Sequence, residues 1–431
     1  MRDPTGPDPG PVLDDSRVAA AVAGVRAGDL VHSLRALLVV PSVTGSAAES
    51  EAQHRLEPLL RAAGLETDLW RIDLDAALAD PDFPGLEAPR TEAWGLVGES
   101  AGGDGPVVVL NGHIDVVPPG SRDDWSVDPW SGAVRDGRVF GRGATDMKAG
   151  LVCQLAAVTA LRDAGVRLGG RVALHSVVGE EDGGLGTFGT LRRGHRGDLA
   201  IVSEPTALAV VPAAAGALTF RLTVSGRAAH ASVRGTGIDA MDRYVLVHAA
   251  LRRLEEVRNR DGHPLMDRWA LPWPLSVGTV HAGDWASTVP DRVVAEGRLG
   301  VAIGEPVQHA RAELEAAVAG LGAADPWLAA HPVRVEWSGG QFGSGATPAD
   351  GPLVELVRGA HAALTGTRPE VHGVPYGSDL RLLVEAGIPT VHHGPGELAQ
   401  AHAPDESVPV DQMVAVTRTL VLAVATACGT R

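Results

Sequence analysis

The stretch from Val107 to Asp182 constrains this chain more than any other. It contains three pieces, VVVLNGHIDVVPPG, GRVFGRGATDMKAG and RVALHSVVGEEDGG, and each sets ligand-type side chains beside an apolar run. Val107–Leu110 is a short β-branched run, the pattern of a buried parallel strand. It delivers His113 and Asp115 where it stops, and two residues apart on an extended chain these share a face. Asp146 sits in a glycine-rich turn before the apolar stretch Ala149–Leu161, which reads as a helix. A second strand, Arg171–Val178, ends in Glu180-Glu181-Asp182. Strand and loop ends thus present an imidazole and several carboxylates, the inventory for a divalent metal. In open α/β sheets, ligands bind beyond the carboxyl ends of the strands.

The chain has 431 residues, enough for two domains or one large core with an insertion. Lys+Arg number 37 against 53 Asp+Glu, a formal charge of −16, which argues against nucleic-acid and anionic-membrane partners. Lys148 is the only lysine, read here as coding bias. Cys153 and Cys428 are too few and too far apart for a disulfide framework, so a reducing cytoplasm is expected. The N-terminal MRDPTGPDPGPVLDD lacks the apolar segment of a signal peptide, and residues 1–15 read as disordered. No apolar run approaches the roughly 18–20 residues that span a bilayer. Met413–Cys428 is interrupted by Arg418 and reads as a closing amphipathic helix.

Helical spacing covers Arg17–Leu38 and Glu49–Ala63, with Gly64 as a stop. Leu65–Leu74 reads as a strand, and Asp75–Arg90, rich in Asp and Pro, as a surface excursion. Trp125 and Trp130 read as packing residues beside a site entrance. Leu199–Val202 is a third apolar run, ending in Ser203-Glu204-Pro205-Thr206. Gly216–Ser225 then alternates strictly, the mark of a sheet with one face solvated or helix-covered. Helices at Ile238–Val257 and Val307–Gly320, with strands at Leu275–His281, Arg292–Val301 and Val333–Trp337, complete a compact α+β unit. The expected organisation is a first domain over residues 1–210 and 343–431, with residues 211–342 inserted. Asp350–Leu364 reads as helical, and Val371–Arg381 and Thr390–Gly396 as strands leading to glycine loops. His402 lies in a loop before the last helix.

Taken together, GHIDVVP, GRGATDMKAG, GEED, SEPT, GRAAHAS and AHAPDESV resemble the M20 metallopeptidase family, from about Leu38 to the C-terminus and in the family's order. The YGSDLRLL and AHAPDE segments are closest to its acetylornithine deacetylase and succinyl-diaminopimelate desuccinylase branch. The resemblance implies an α/β fold: a mixed, mostly parallel sheet flanked by helices, with an inserted lid and dimerisation domain. It implies two zinc ions per chain, replaceable by cobalt or manganese: His113 and Glu204 on one, Glu181 and His402 on the other, Asp146 bridging. It further implies a cis bond at Asp146–Met147, Asp115 as the carboxylate that orients the metal-binding imidazole, and Glu180 as general base. His230, in GRAAHAS, matches a histidine that reaches a neighbouring subunit's site and stabilises the oxyanion. Gly377 and Ser378 match a substrate-contacting loop. Ser287 stands where the family often has asparagine, and Gly300 where many members have a substrate-binding arginine. Arg381 is balanced between a local pair with Asp379 and a substrate carboxylate.

The chemistry accounts for these residue types. Amide hydrolysis needs a nucleophile at neutral pH, a polarised carbonyl and a proton for the leaving amine. Paired metals serve the first two, and a free carboxylate the third. Glu180 and Glu181 cannot both face metals if the chain stays extended, so one binds and the other moves the proton. Taken singly, His113, Glu204 and His402 would each be ordinary structural or turn residues; their occurrence together in order reverses that. His175 reads as a satisfied core histidine, His392 and His393 as surface or packing residues, and Cys153 as an apolar packing residue. The expected function is removal of an acyl group from an N-acylated amino acid or related small amine. A dipeptidase or carboxypeptidase is the alternative, and a non-catalytic metal-binding homologue the distant third. The expected partners are a small N-acyl amino acid or peptide and a second copy of the chain.

Overall fold

The structure, a computed structural model, describes residues 10–431. Disorder expected for the first nine residues lies outside it. Of the residues read as disordered, 10–15 fall within described structure: Gly10–Leu13 is a helical turn, and Asp15 caps Ser16–Gly24 by accepting from the Arg17 N–H. The helix expected over Arg17–Leu38 is two, Ser16–Gly24 and Ala27–Leu38, separated by extended backbone at Val25 and Arg26. Ala47–Ala62 follows, and Gly64 ends it at φ +82°.

The main sheet has nine strands. In spatial order the path runs Leu65–Arg71, Trp94–Ser100, Arg171–Val177, Val107–His113, Leu199–Val202, Thr390–His392, Val210–Ala214 and Gly345–Ala346, with Val371–Val374 beside Val210–Ala214. The four strands at its centre, from Arg171–Val177 to Thr390–His392, are mutually parallel. That is the expected mixed, mostly parallel sheet, and it explains the unbroken apolar run Val108–Leu110, buried on both faces. Ala149–Asp163 packs on it and is itself covered by Val410–Cys428.

This last helix corrects the sequence reading. It is 19 residues long, and an 18-residue stretch of it has a mean hydropathy of 1.3, enough by length and composition to cross a membrane. Thr419–Thr426 is buried without interruption, so it is a core helix rather than an amphipathic cover, with part-buried Arg418 at its margin.

A second, antiparallel sheet orders Leu275–Ala282, Arg292–Val301, Gly216–Ser225 and Arg334–Phe342. Leu218, Phe220, Leu222 and Val224 alternate into a separate apolar cluster beneath Ala240–Arg258 and Val307–Ala319. The opposite face carries Ala217, Thr219 and Arg221, as the strict alternation required.

The segment expected to be a surface excursion does more. It forms the helix Leu74–Ala79, capped by Asp73, and then runs to the second sheet. Pro84 accepts from the Gln341 N–H at 2.9 Å, and Glu87 from Thr219 Oγ1 at 2.8 Å. Arg90 is buried between Glu49 (3.2 Å) and Asp182 (2.8 Å). An arginine inside a polar excursion carries no sequence signal that its partners lie 41 and 92 residues away.

Candidate metal centre

The side chains named from the strand ends converge. His113 is the last residue of its strand, and its Nδ1–H donates to the Asp115 carbonyl at 2.9 Å. That leaves Nε2 facing Asp146 Oδ1 at 3.0 Å and Glu204 Oε1 at 3.7 Å. The Asp115 carboxylate, expected to orient this imidazole, has Oδ1 3.7 Å from Nδ1. Its hydrogen bonds go instead to Thr44 Oγ1 and to the backbone N–H groups of Glu180 and Glu181. Asp115 therefore holds the imidazole through its carbonyl and the glutamate turn through its carboxylate.

Asp146 is set by a carboxylate that the sequence reading missed. Fully buried Glu406 accepts from the N–H groups of Gly143, Thr145 and Asp146 at 3.1, 2.8 and 3.0 Å, and pairs with Arg142 at 2.6 Å. Four residues after His402 in a polar loop, it looks like any surface glutamate. The Asp146–Met147 bond is cis, as the resemblance implied. Lys148 is buried, donates to the carbonyls of Leu37 and Val40, and is pushed down to about 7 by burial. The chain's one lysine is thus a structural residue.

So anchored, Asp146 lies between two imidazoles. Its Oδ2 is 3.5 Å from His402 Nε2, which is also 3.1 Å from Glu181 Oε2. Two donor sets result, His113–Asp146–Glu204 and Asp146–Glu181–His402, each with ligand atoms within 4.8 Å of one another, and they share Asp146. Glu180 stands beside them in the same cleft. Both adjacent glutamates face it because the chain turns after Val177, with Gly179 at φ +66°, rather than staying extended.

The electrostatics of the cluster fit cations. Burial, then the neighbouring carboxylates, pushes Glu204 well above the usual carboxylate range; Glu181 rises for the same reasons. Burial likewise drives Glu180 upward against the pull of His113. Hydrogen bonds to Asp146 and Glu181 lift His402 to about 11. Burial opposes a charge on His113, but Asp146, Glu204 and Asp115 outweigh it and raise it. Burial also raises Asp146, but the two imidazoles bring it below its ordinary value. Glu181 Oε1 is buried with no hydrogen-bond partner. Crowded carboxylates with an orphaned oxygen are expensive without positive charge, and a nitrogen-and-oxygen donor set of this kind suits zinc, cobalt or manganese.

The cleft holds about 440 Å3 and is closed on one side by the second sheet, through Ala217, Thr219 and Arg298. Gly377 and Tyr376 line it, and the Tyr376 hydroxyl is buried there without a partner. Ser378 lies behind the lining, almost fully buried, its Oγ 3.0 Å from His392 Nε2. Arg381 is also placed away from the cleft. Its Nη1 and Nη2 donate to the carbonyls of Ser378 and Gly183, and its guanidinium stacks 4.1 Å from the Phe342 ring. Asp182 is held by both Arg90 nitrogens and by the N–H groups of Glu87 and Ala88, so it is no free base. His230 and Ser287 come together, but on the surface and outside the cleft of their own chain. His230 Nδ1 lies 2.8 Å from Ser232 Oγ, and the Ala231 N–H donates to the Ser287 carbonyl. His175 is buried as expected, yet neither ring nitrogen has a partner, and burial pushes it down to about 3. His392 and His393 are both fully buried packing residues. Trp125 is nearly buried over Arg142 and does not reach the cleft.

An α/β chain with metal-type donors beyond its parallel strand ends, walled by a second sheet, defines the class. Residues 109–426 match the family described as Peptidase family M20/M25/M40, and the chain belongs to that family of amide hydrolases. It is 27% identical over 417 residues to N-formyl-4-amino-5-aminomethyl-2-methylpyrimidine deformylase of Halalkalibacterium halodurans, covering 91% of this chain and 92% of that one. To succinyl-diaminopimelate desuccinylase of Methylorubrum populi it is 30% identical over 321 residues, 67% of this chain and 74% of that one. The fold is similar to that of the di-peptidase Dug1p of Saccharomyces cerevisiae, with a TM-score of 0.75 at 14% identity, over 96% of this chain and 98% of that one.

Proposed function

We propose that this protein is a dinuclear zinc-dependent hydrolase that removes an acyl group from an N-acylated amino acid or a related small amine, with cobalt or manganese able to replace zinc. The observation that carries the reading is Asp146, shared between two imidazole–carboxylate donor sets. His113 and Glu204 would hold one ion, Glu181 and His402 the other, and Asp146 both. When bound, the metals supply Lewis acidity to the scissile carbonyl and lower the pKa of water. The chain's own residues do the rest. Glu180, in the cleft but outside both donor sets, takes the proton of the attacking water and returns it to the leaving nitrogen. Asp115 fixes the Glu180–Glu181 turn, and Glu406 fixes Asp146.

The names of the two relatives, a deformylase and a desuccinylase, favour a deacylase over a dipeptidase or carboxypeptidase. The second-sheet unit, within residues 211–342, is the lid and the surface of a homodimer. There His230, exposed on its own chain, enters the partner's cleft and donates to the oxyanion. Ser287 beside it, and Gly377 in the lining of the cleft, belong to the substrate's surroundings, with Ser378 supporting that loop from behind. Two unpaired buried cysteines accord with a cytoplasmic protein.

The test is a panel of N-formyl, N-acetyl and N-succinyl amino acids and dipeptides, assayed with and without chelator. The expected result is acyl release that chelator abolishes and zinc or cobalt restores. Cleavage of dipeptides alone would move the protein to the peptidase reading, and undiminished hydrolysis after complete metal removal would dismiss the assignment.

A further inference from the structure

The strand Arg334–Phe342 of the second sheet is irregular where it meets the turn that carries Glu180 and Glu181. Trp337 pairs with Phe220 and Gln341 with Leu218, which leaves Ser338, Gly339 and Gly340 opposite Thr219 alone. Extra residues on one strand make a bulge, and bulges recur beside active sites. The Gln341 side chain holds this one. Its Nε2 lies 2.8 Å from the Ser338 carbonyl oxygen, 3.0 Å from that of Thr219 and 3.1 Å from that of Gly340, and its Oε1 accepts from Arg311 at 2.7 Å. Gln341 is not among the described residues that line the cleft.

The bulge presses on two other stretches of backbone. A Cβ at Gly85 would lie 2.2 Å from the Gly339 carbonyl oxygen, and a Cβ at Gly183 2.1 Å from that of Gly85, so no side chain fits at either place. A Cβ at Gly340 would lie 3.0 Å from the Asp182 carbonyl oxygen. Across the same junction the Gln341 N–H donates to Pro84. Residues 84–90 then grip the glutamate turn at both ends. The N–H groups of Glu87 and Ala88 and the Arg90 guanidinium hold Asp182. Arg90 also holds Glu49, which accepts from the Gly179 N–H. The turn therefore hangs on segment 84–90, and that segment is tied to the second sheet at Pro84, Gly85 and, through Thr219, Glu87.

We propose that Gln341 is a positioning residue for the hydrolysis: through the bulge it seats segment 84–90, and through that segment it fixes the turn that aims Glu180 at the substrate. The inference rests on the hydrolase reading of Glu180. A proton carrier must stand within hydrogen-bond reach of the group it serves, and a displacement of about 1 Å transmitted from afar can cost about 100-fold in rate.

The experiment compares wild type with Gln341→Met, which keeps the length of the side chain and removes its hydrogen bonds. Amide hydrogen exchange is read by mass spectrometry in metal-free and in zinc-loaded protein, and kcat and KM on the N-acyl amino acid and dipeptide panel. The N–H groups of Gly179, Glu180, Glu181, Gly183 and Gly184 are all hydrogen-bonded, so peptides over residues 178–186 should exchange slowly in the wild type. Gln341→Met should speed them about tenfold or more, although residue 341 makes no hydrogen bond to them, while Val410–Cys428 exchanges as before. In the same variant kcat should fall about 10–100-fold with KM little changed and zinc content that of the wild type. A merely structural Gln341 would confine the faster exchange to the bulge and to residues 84–88. Wild-type exchange over 178–186, or faster exchange there with an unchanged kcat, overturns the proposal. Should Gln341→Met fail to fold, Thr219→Val, which cuts the tie to Glu87, carries the same exchange test with the same two readings. If the wild type hydrolyses nothing in the panel, the hydrolase reading is what fails, and exchange in the metal-free protein alone decides whether Gln341 holds the turn.

Discussion

Asp115, Asp182 and Glu406, behind the strand-end side of the cleft, each accept three or more hydrogen bonds from groups that hold the donor residues in place. On the second sheet's side, Arg298 has a buried Nε without a partner, and His230, outside the cleft, bonds through its ring only to Ser232. The braced side resembles a site built to keep a fixed geometry around bound cations, and preorganised groups of this kind act without rearranging during reaction. On the proposed reading, His230 finds its partner in a second subunit. The contrast separates substitutions that should damage the fold from those that should damage only turnover.

The largest effect is expected at Glu180, a cleft-lining carboxylate outside both donor sets. Glu180→Gln should bind the same metal complement, by elemental analysis, while kcat falls by about 10²–10⁴. Unchanged kcat would remove its role as base, and with Asp182 locked to Arg90 no neighbouring acid is free to inherit it. Next comes the brace itself. Arg90→Leu leaves Glu49 and Asp182 buried without a counter-ion and should lower the unfolding free energy by about 3–5 kcal/mol in denaturant melts. His230→Ala should behave oppositely, with a stability change under about 1 kcal/mol but kcat down by about 10²–10³. Mixed dimers of His230→Ala and Glu180→Gln, verified by two tags, should recover activity, since one of their two clefts has both residues intact. Verified mixed dimers with no recovery would exclude the arrangement in trans. The smallest effect is expected at Glu406→Gln, which touches no donor atom directly. A loss of about 10–100-fold in zinc affinity is expected, as for other residues that orient metal ligands; wild-type affinity would show that Asp146 does not need this support.

The sequence made the braced side legible as far as its donors, because strand ends are local events. An apolar run that stops at His113, at Glu180-Glu181 or at Glu204 announces both the strand and what it carries. What stayed hidden was what holds those donors. Glu406 reaches Asp146 across 260 residues and Arg90 reaches Asp182 across 92, and no periodicity encodes such pairings. Charge misled in both directions. Arg381, read as balanced between Asp379 and a substrate carboxylate, has both terminal nitrogens spent on carbonyls. Arg418 made the last helix look amphipathic, although the helix is core.

The central claim is that one carboxylate, Asp146, serves two metal ions. Zinc titration into metal-free protein, followed by calorimetry, tests it most directly when wild type and Asp146→Ala are compared. Two equivalents per chain in the wild type, and loss of tight binding at both sites in Asp146→Ala, are predicted. A single equivalent in the wild type, or a variant that forfeits only one of two sites and keeps the other at full affinity, would contradict it.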